Sequence, residues 1–210
     1  MGPANDGERL ARIHVVVDGA GPLVDLVAHA LRTCGLHRVS VGAYAVEQLC
    51  WPTTPPARRD HRRPEFSPLQ EIGAIVAVSR GRTSPQRTAP WLHHGVLHLP
   101  VEQHPELLQV GPLVVPGASA CLSCQQVPPS LLPPTSLDSP PSATPATALD
   151  PGVGVLAAAI AGLTIRQALL GDHSLAGVSC DVVGPRPEIV HRYWPARPDC
   201  ACQPTTVRTA

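Results

Sequence analysis

Four cysteines in two close pairs carry the strongest chemical signal in this sequence. Cys121-Leu-Ser-Cys124 follows the turn residues Pro116-Gly117, and Cys200-Ala-Cys202 lies near the end of the 210 residues. Zinc favours four thiolates at the corners of a tetrahedron, and two short loops can each supply two of them. The binding free energy would then tie the C-terminal stretch to the middle of the domain. Two unrelated pairs, or a redox disulfide between Cys121 and Cys124, are the competing readings. The redox version lacks the strand–CxxC–helix context of a thiol oxidoreductase.

Gly19-Ala-Gly21 is the second signal, because it follows the β-branched run Ile13 to Val17 directly. Glycines at a strand–helix turn let the backbone approach phosphate groups at a helix N-terminus, so Gly19 and Gly21 are candidate ATP-binding residues. The fingerprint is incomplete. Pro22 and Val24 stand where glycine would help, and Val41-Gly42-Ala43-Tyr44 offers no acid for ribose hydroxyls. The same glycines also serve a tight turn that needs them for backbone geometry alone.

Weaker candidates are His93, His94 and His98, whose i, i+4 pair is spoiled because Val96 to Leu99 reads as strand. The cluster Arg58-Arg59-Asp60-His61-Arg62-Arg63 suits a solvated loop or a contact with an acidic peptide. Cys180 sits in an apolar strand and reads as core, while Cys34 and Cys50 have no partner pattern. No Ser–His–Asp set is defensible, and the sequence names no catalytic residue.

Composition narrows the chemistry further. All 16 basic residues are arginine, balanced by 16 acidic ones, and lysine is absent. That excludes a phosphate-loop lysine and a Schiff-base lysine. Neutral net charge and an aromatic content of 3% disfavour nucleic acid as a partner. The first residues carry acids and no apolar core, so no secretory signal is expected. The longest uncharged apolar run, Pro151 to Ile165, falls short of the roughly 18 residues that span a bilayer, so no membrane partner is expected. Seven cysteines without an export signal fit a reducing compartment, hence the cytoplasm.

These residues need a frame to hold them. Leu23, Val27, Ala30, Leu31 and Cys34 recur at helical steps after Pro22, with Gly35 as terminator. Strands are expected at Ile13 to Val17, Val39 to Val41, Ile75 to Val78 and Val96 to Leu99, with an extended piece at Val110 to Val115. Asp150-Pro151 reads as an N-cap and first helical residue of an apolar, buried helix to Leu170. Val178 to Val183 and Glu188 to Trp194 read as an antiparallel hairpin. Residues 50–70 form a Pro/Arg-rich loop and 127–150 a Pro-rich flexible insert within one domain spanning 1–210. The class is α/β, half of a doubly wound sheet flanked by helices.

The ordered series of Val17-Asp-Gly-Ala-Gly-Pro-Leu-Val24, His98-Leu-Pro-Val101, Val110-Gly-Pro-Leu-Val-Val-Pro-Gly117, Cys121-Leu-Ser-Cys124 and Trp194-Pro-Ala-Arg-Pro-Asp-Cys-Ala-Cys202 resembles the ThiF/MoeB/HesA superfamily of ubiquitin-activating-type adenylating enzymes. It is most similar to ThiF-like proteins of actinobacterial gene clusters for azole- and azoline-modified peptides. The resemblance implies a Rossmann-like ThiF-type sheet and zinc on Cys121, Cys124, Cys200 and Cys202. It also implies ATP on the glycine turn, a homodimer, and a cyclodehydratase or precursor peptide as partner.

The catalytic pattern of that superfamily is broken here. Its aspartate after the second strand is replaced around Gly42, and its lysine cannot exist. Its Asn-x-x-Arg-Gln run has no counterpart, and Val78-Ser79-Arg80 stands where a magnesium-binding aspartate would follow the third strand. Losing ribose, phosphate and metal contacts removes the electrostatics on which phosphoryl chemistry depends. The expectation is therefore a degenerate, zinc-binding scaffold partner in ribosomal peptide modification, without use of ATP and without the superfamily's leader-binding module before Ile13. The alternatives are an active adenylating enzyme rebuilt with Arg58, Arg62 or Arg80, and a plain zinc-stapled regulatory domain.

Overall fold

The computed structural model describes residues 4–46, 72–126, 150–184, 188–200 and 202. The anticipated loop at 50–70, including Cys50 and the Arg58–Arg63 cluster, and residues 127–149 of the anticipated insert lie outside that set.

Strand β1 (His14–Asp18) is the heart of the sheet. Val15, Val16 and Val17 are wholly buried, as a strand covered on both faces requires. Parallel partners flank it, β2 (Arg38–Gly42) on one side and β3 (Ile72–Arg80) on the other. Parallel pairing continues to β4 (Leu97–Gln103). The sheet then turns antiparallel through β5 (Leu107–Val110), β6 (Val178–Val183) and β7 (Glu188–Tyr193), giving seven strands in the order β2-β1-β3-β4-β5-β6-β7.

Helix α1 (Ala4–Arg12) leads into β1, burying Leu10 while Arg9 Nη2 donates to the Leu169 carbonyl at 3.1 Å. Helix α2 (Pro22–Thr33) starts on proline and buries Leu23, Val24, Val27, Ala28 and Leu31 against the sheet. Helix α3 (Pro85–His93) covers the opposite face, where Trp91 joins Val16, Ile75 and Ala77. Helix α4 (Pro151–Leu169) is capped as its sequence foretells, with Asp150 Oδ1 accepting from Gly152 N at 2.7 Å and Val153 N at 3.3 Å. It packs on α2 so closely that a Cβ at Gly162 would lie 3.2 Å from the Ala30 carbonyl oxygen.

Four expectations need correction. The extended piece at Val110 to Val115 is displaced: β5 ends at Val110, and the chain leaves the ladder through Gly111-Pro112, so only isolated bridges follow at Leu113 and Val114. Strand β4 runs through Pro100 rather than stopping at Leu99, because the missing N–H faces the segment that has left the ladder, where Gly111 N donates to the Pro100 carbonyl. Helix α4 is buried on one side only, since Val155 and Leu163 remain about half exposed. Finally, α4 is long and apolar enough to cross a membrane by length and composition, because a single Arg166 does not offset its apolar residues; half of that window is buried in the protein. Helices α1 and α3 were not foreseen at all.

Among the described residues His98 is the one histidine sealed in the core, at 1% exposure on β4. Its Nδ1 donates to the Val96 carbonyl at 2.9 Å, and the Trp91 ring meets it edge-on at 5.6 Å. Burial drives its pKa down from 6.5 to about 4, against the smaller upward pull of the Val96 carbonyl. In the unfolded chain the same ring takes a proton near its ordinary value. Between those two values the unfolded state holds more protons, so stability is lost as pH falls through that window. Urea unfolding at about pH 7 and about pH 4.5 should cost the native chain roughly 2–3 kcal/mol more than His98→Gln. Equal losses would assign the acid sensitivity elsewhere.

Candidate functional site

The turn after β1 is shaped by contacts that admit only glycine. Gly19 N donates to the Gly42 carbonyl at 3.0 Å, and a Cβ at Gly19 would fall 2.5 Å from the Val78 carbonyl oxygen. Gly21 caps α2 with φ 101°, a left-handed value that suits glycine. Both glycines are thus required by the backbone whether or not a ligand binds. Beside them opens a cavity of about 460 Å³, bounded by residues 19–23, Ala43, Tyr44, Val78, Ser79, Arg80, Arg87 and Gln103. It lies at the C-terminal ends of the parallel strands, where ligands of open α/β sheets bind.

The walls decide what such a cavity could hold. Among the described residues none of its lining is acidic, whereas Arg80 and Arg87 line it near the N-terminus of α2. That combination favours an anion. Asp18, which ends β1 just before the turn, is 3% exposed and already committed. Its Oδ1 accepts from Ala45 N at 3.1 Å, and its Oδ2 pairs with Arg87 Nη2 at 2.6 Å. At the end of β2, where a ribose-binding acid was sought, Tyr44 stands at φ 60° with 61% exposure. The rim at residues 79–84 is fixed from below: buried Glu102 accepts from Thr83 N at 2.7 Å and pairs with His104 at 3.3 Å, and Ser79 Oγ bonds Gly81 O and Thr83 Oγ1.

The structure brings all four paired cysteines together. The sulfurs of Cys121, Cys124, Cys200 and Cys202 lie within 4.8 Å of one another, with Cys121–Cys200 at 3.6 Å and Cys124–Cys202 at 3.5 Å. Those two separations are far beyond a disulfide bond of about 2.05 Å. A zinc ion bound at about 2.3 Å to each sulfur of a tetrahedron spaces the sulfurs by about 3.8 Å, so the donor set fits zinc. The backbone N–H of Arg197 donates to Cys124 Sγ at 3.4 Å, the outer contact expected of a ligating thiolate. Arg197 itself is held by Asp199 at 2.7 Å. Burial pushes the Cys121 thiol up and the Cys200 thiol up to about 12, so ionising this set calls for a cation among the sulfurs. Cys121, Leu122, Cys202 and Val114 form a small apolar cluster of their own around it.

The remaining sequence candidates stay apart. His93 closes α3, His94 follows it, and His98 is buried in β4, so the three do not converge as ligands. Cys180 is a core residue of β6, as expected. Sequence reading missed Asp18, Arg87 and Glu102. Only Asp18 left a signal, being the acid that ends β1 immediately before the turn.

No family model and no curated protein sequence matches this chain. Its fold does match solved structures. A heterocyclase in complex with substrate and cofactor superposes with TM-score 0.62 at 18% identity, covering 97% of this chain and 27% of that one. The heterocyclase TruD gives 0.60 at 20%, covering 97% and 29%. Escherichia coli MccB with AMPCPP and MccA gives 0.64 at 13%, covering 97% and 70%. This chain therefore spans less than a third of the heterocyclase chains. At these identities the likeness establishes a shared fold.

The Asp18–Arg87 pair makes a measurable claim. Arg87→Met would leave a buried carboxylate facing no cation, and chemical denaturation should register a loss of about 2–4 kcal/mol. Arg80→Met, at an exposed position on the same cavity, should change stability by less than about 0.5 kcal/mol. Equal, small effects from both would mean that Asp18 does not depend on the pair.

Proposed function

We propose that this chain is a ThiF-like, zinc-stapled protein that serves as a binding or scaffold partner in ribosomal peptide modification. Its partner would be a cyclodehydratase that forms thiazole or oxazole rings, or the precursor peptide of such an enzyme. The fold likeness to heterocyclases and to MccB, together with the ordered motifs of the sequence, supports that class of role. The observation that supports the non-catalytic part is that, among the described residues, no acid lines the cavity at the glycine turn. Adenylation needs carboxylates to hold magnesium and the ribose, and Asp18 is already tied to Arg87 and Ala45.

One observation favours a second reading, in which the chain adenylates a carboxylate itself. Arg80 and Arg87 line the cavity at the N-terminus of α2, where guanidinium groups could take over the role of a phosphate-binding lysine. The two readings separate on one preparation. With magnesium, ATP and a candidate precursor peptide, the scaffold reading expects no pyrophosphate exchange. It also expects labelled peptide or cyclodehydratase to bind equally well to Arg80→Met. Exchange that disappears in the folded Arg80→Met variant would establish the enzyme instead.

The metal is checked separately. Elemental analysis of the purified chain should find about one zinc per chain. Cys124→Ser should release it to a chelator at far lower concentration and lower the unfolding temperature. A zinc-free chain of full stability would remove the staple from this reading.

A further inference from the structure

The four clustered sulfurs touch across the two loops that carry them. Cys121 Sγ lies 3.6 Å from Cys200 Sγ, and Cys124 Sγ lies 3.5 Å from Cys202 Sγ. Each contact joins the loop after β5 to the loop after β7, over 79 and 78 residues of sequence. The two contacts share no sulfur, so both could become covalent in one molecule. A disulfide holds its sulfurs about 2.05 Å apart, which leaves each pair roughly 1.5 Å to close.

The backbone on both sides of that gap is fixed. Cys124 N donates to the Cys121 carbonyl at 3.0 Å, and Cys200 N donates to the Arg197 carbonyl at 3.1 Å. Upstream, Val114 N donates to the His98 carbonyl at 2.9 Å, and Trp194 N to the Gly177 carbonyl at 2.8 Å. Each loop therefore hangs from the same sheet, and closing the gap falls chiefly to side-chain torsions.

Thiolate chemistry supplies the reaction. A thiolate that attacks a peroxide becomes a sulfenic acid, and a neighbouring thiolate then displaces its hydroxide to form a disulfide. For each pair, two thiolates and one hydrogen peroxide give one disulfide and two hydroxides. The sulfurs lose two electrons, and the broken O–O bond takes them. Cys200 is half-buried and Cys121 is buried, so the more exposed thiol has its resolving partner already in contact. Thiolates are the metal ligands, so electron pairs committed to S–S bonds are lost to zinc.

We propose that this tetrathiolate is a redox-responsive staple: peroxide converts it to Cys121–Cys200 and Cys124–Cys202 disulfides, releasing the metal while the C-terminal segment stays tethered covalently. Bonds within the sequence pairs, Cys121–Cys124 and Cys200–Cys202, would instead cut the tether as the metal left. The inference rests on the zinc staple proposed above and goes beyond it.

Zinc-loaded full chain treated with hydrogen peroxide should release about one zinc per chain to a colorimetric chelator. An arginine-specific digest separates residues 88–166, which hold Cys121 and Cys124, from the piece holding Cys200 and Cys202. In oxidised product that keeps the mass of one chain, mass spectrometry should find those two pieces joined until a reductant parts them. The oxidised, zinc-free chain should also unfold at a temperature well above that of the reduced, zinc-free chain. Pairing is read from two double variants. Cys124→Ser with Cys202→Ser leaves the touching pair, which should cross-link at least about tenfold faster than the pair left by Cys124→Ser with Cys200→Ser. If either variant fails to fold, the mapping on the unaltered chain decides. Zinc that stays bound through the peroxide treatment, or linkage confined to each sequence pair, overturns this inference and leaves the staple standing. A chain that takes up no zinc overturns both.

Discussion

Two thiol contacts between residues 78 and 79 positions apart in sequence bring all four sulfurs within 4.8 Å of one another. That convergence joins the C-terminal stretch to the segment that follows β5. The segment before the first pair carries Val114, bridged to His98 of β4, and the segment before the second carries Trp194, bonded to Gly177 and to Ser179 of β6. A clip closing a loop of that size would restrict the unfolded chain by about 4–5 kcal/mol on chain-entropy grounds, if it acts as a covalent cross-link does. Among the described residues, the rest of the hold on the C-terminal segment includes the small cluster of Val114, Cys121, Leu122 and Cys202 with Leu92 against it, and the Trp194 hydrogen bonds.

The parallel half is organised by a different constraint, the approach of the turn at Gly19 to the Val78 carbonyl. Glycine there is a demand of the backbone, and it draws β1, β2 and β3 together at one end. The consequence is a concave mouth at the N-terminus of α2. Whether that mouth does chemistry is set by its walls. Arg87 reaches the mouth while neutralising Asp18 behind it, so the nearest carboxylate stabilises the turn and is not offered to a ligand. A mouth at the strand ends and, among the described residues, a lining without acids thus occur together in one fold.

Local signals made much of this legible. Pro22 and Gly35 bracketed α2, Asp150-Pro151 marked the start of α4, and valine runs located β1 and β6. The convergence of the cysteine pairs was legible from their spacing and chemistry. What escaped were features that depend on distant partners. Arg87 meets Asp18 across 69 residues, and Glu102 acts on Thr83 from the neighbouring strand. Helix α3 buries only Thr88 and Trp91 and contains Pro90, so it shows little apolar period. Pro100 misled because a proline is tolerated inside a strand wherever the neighbouring chain has already departed.

The two halves also differ in what they present to the outside. In the parallel half, helices cover both faces of the sheet, and the open place is the mouth at the strand ends. In the antiparallel half, β7 is exposed along its whole length and its polar residues face one another across the ladder: Asp181 meets Arg192, and Ser179 receives both Gln109 and Trp194. Such lateral contacts fix the register of β7 without needing a helix to cover it. Among the described residues, then, the register of β7 is held from the β6 side by side-chain bonds and not by a covering helix.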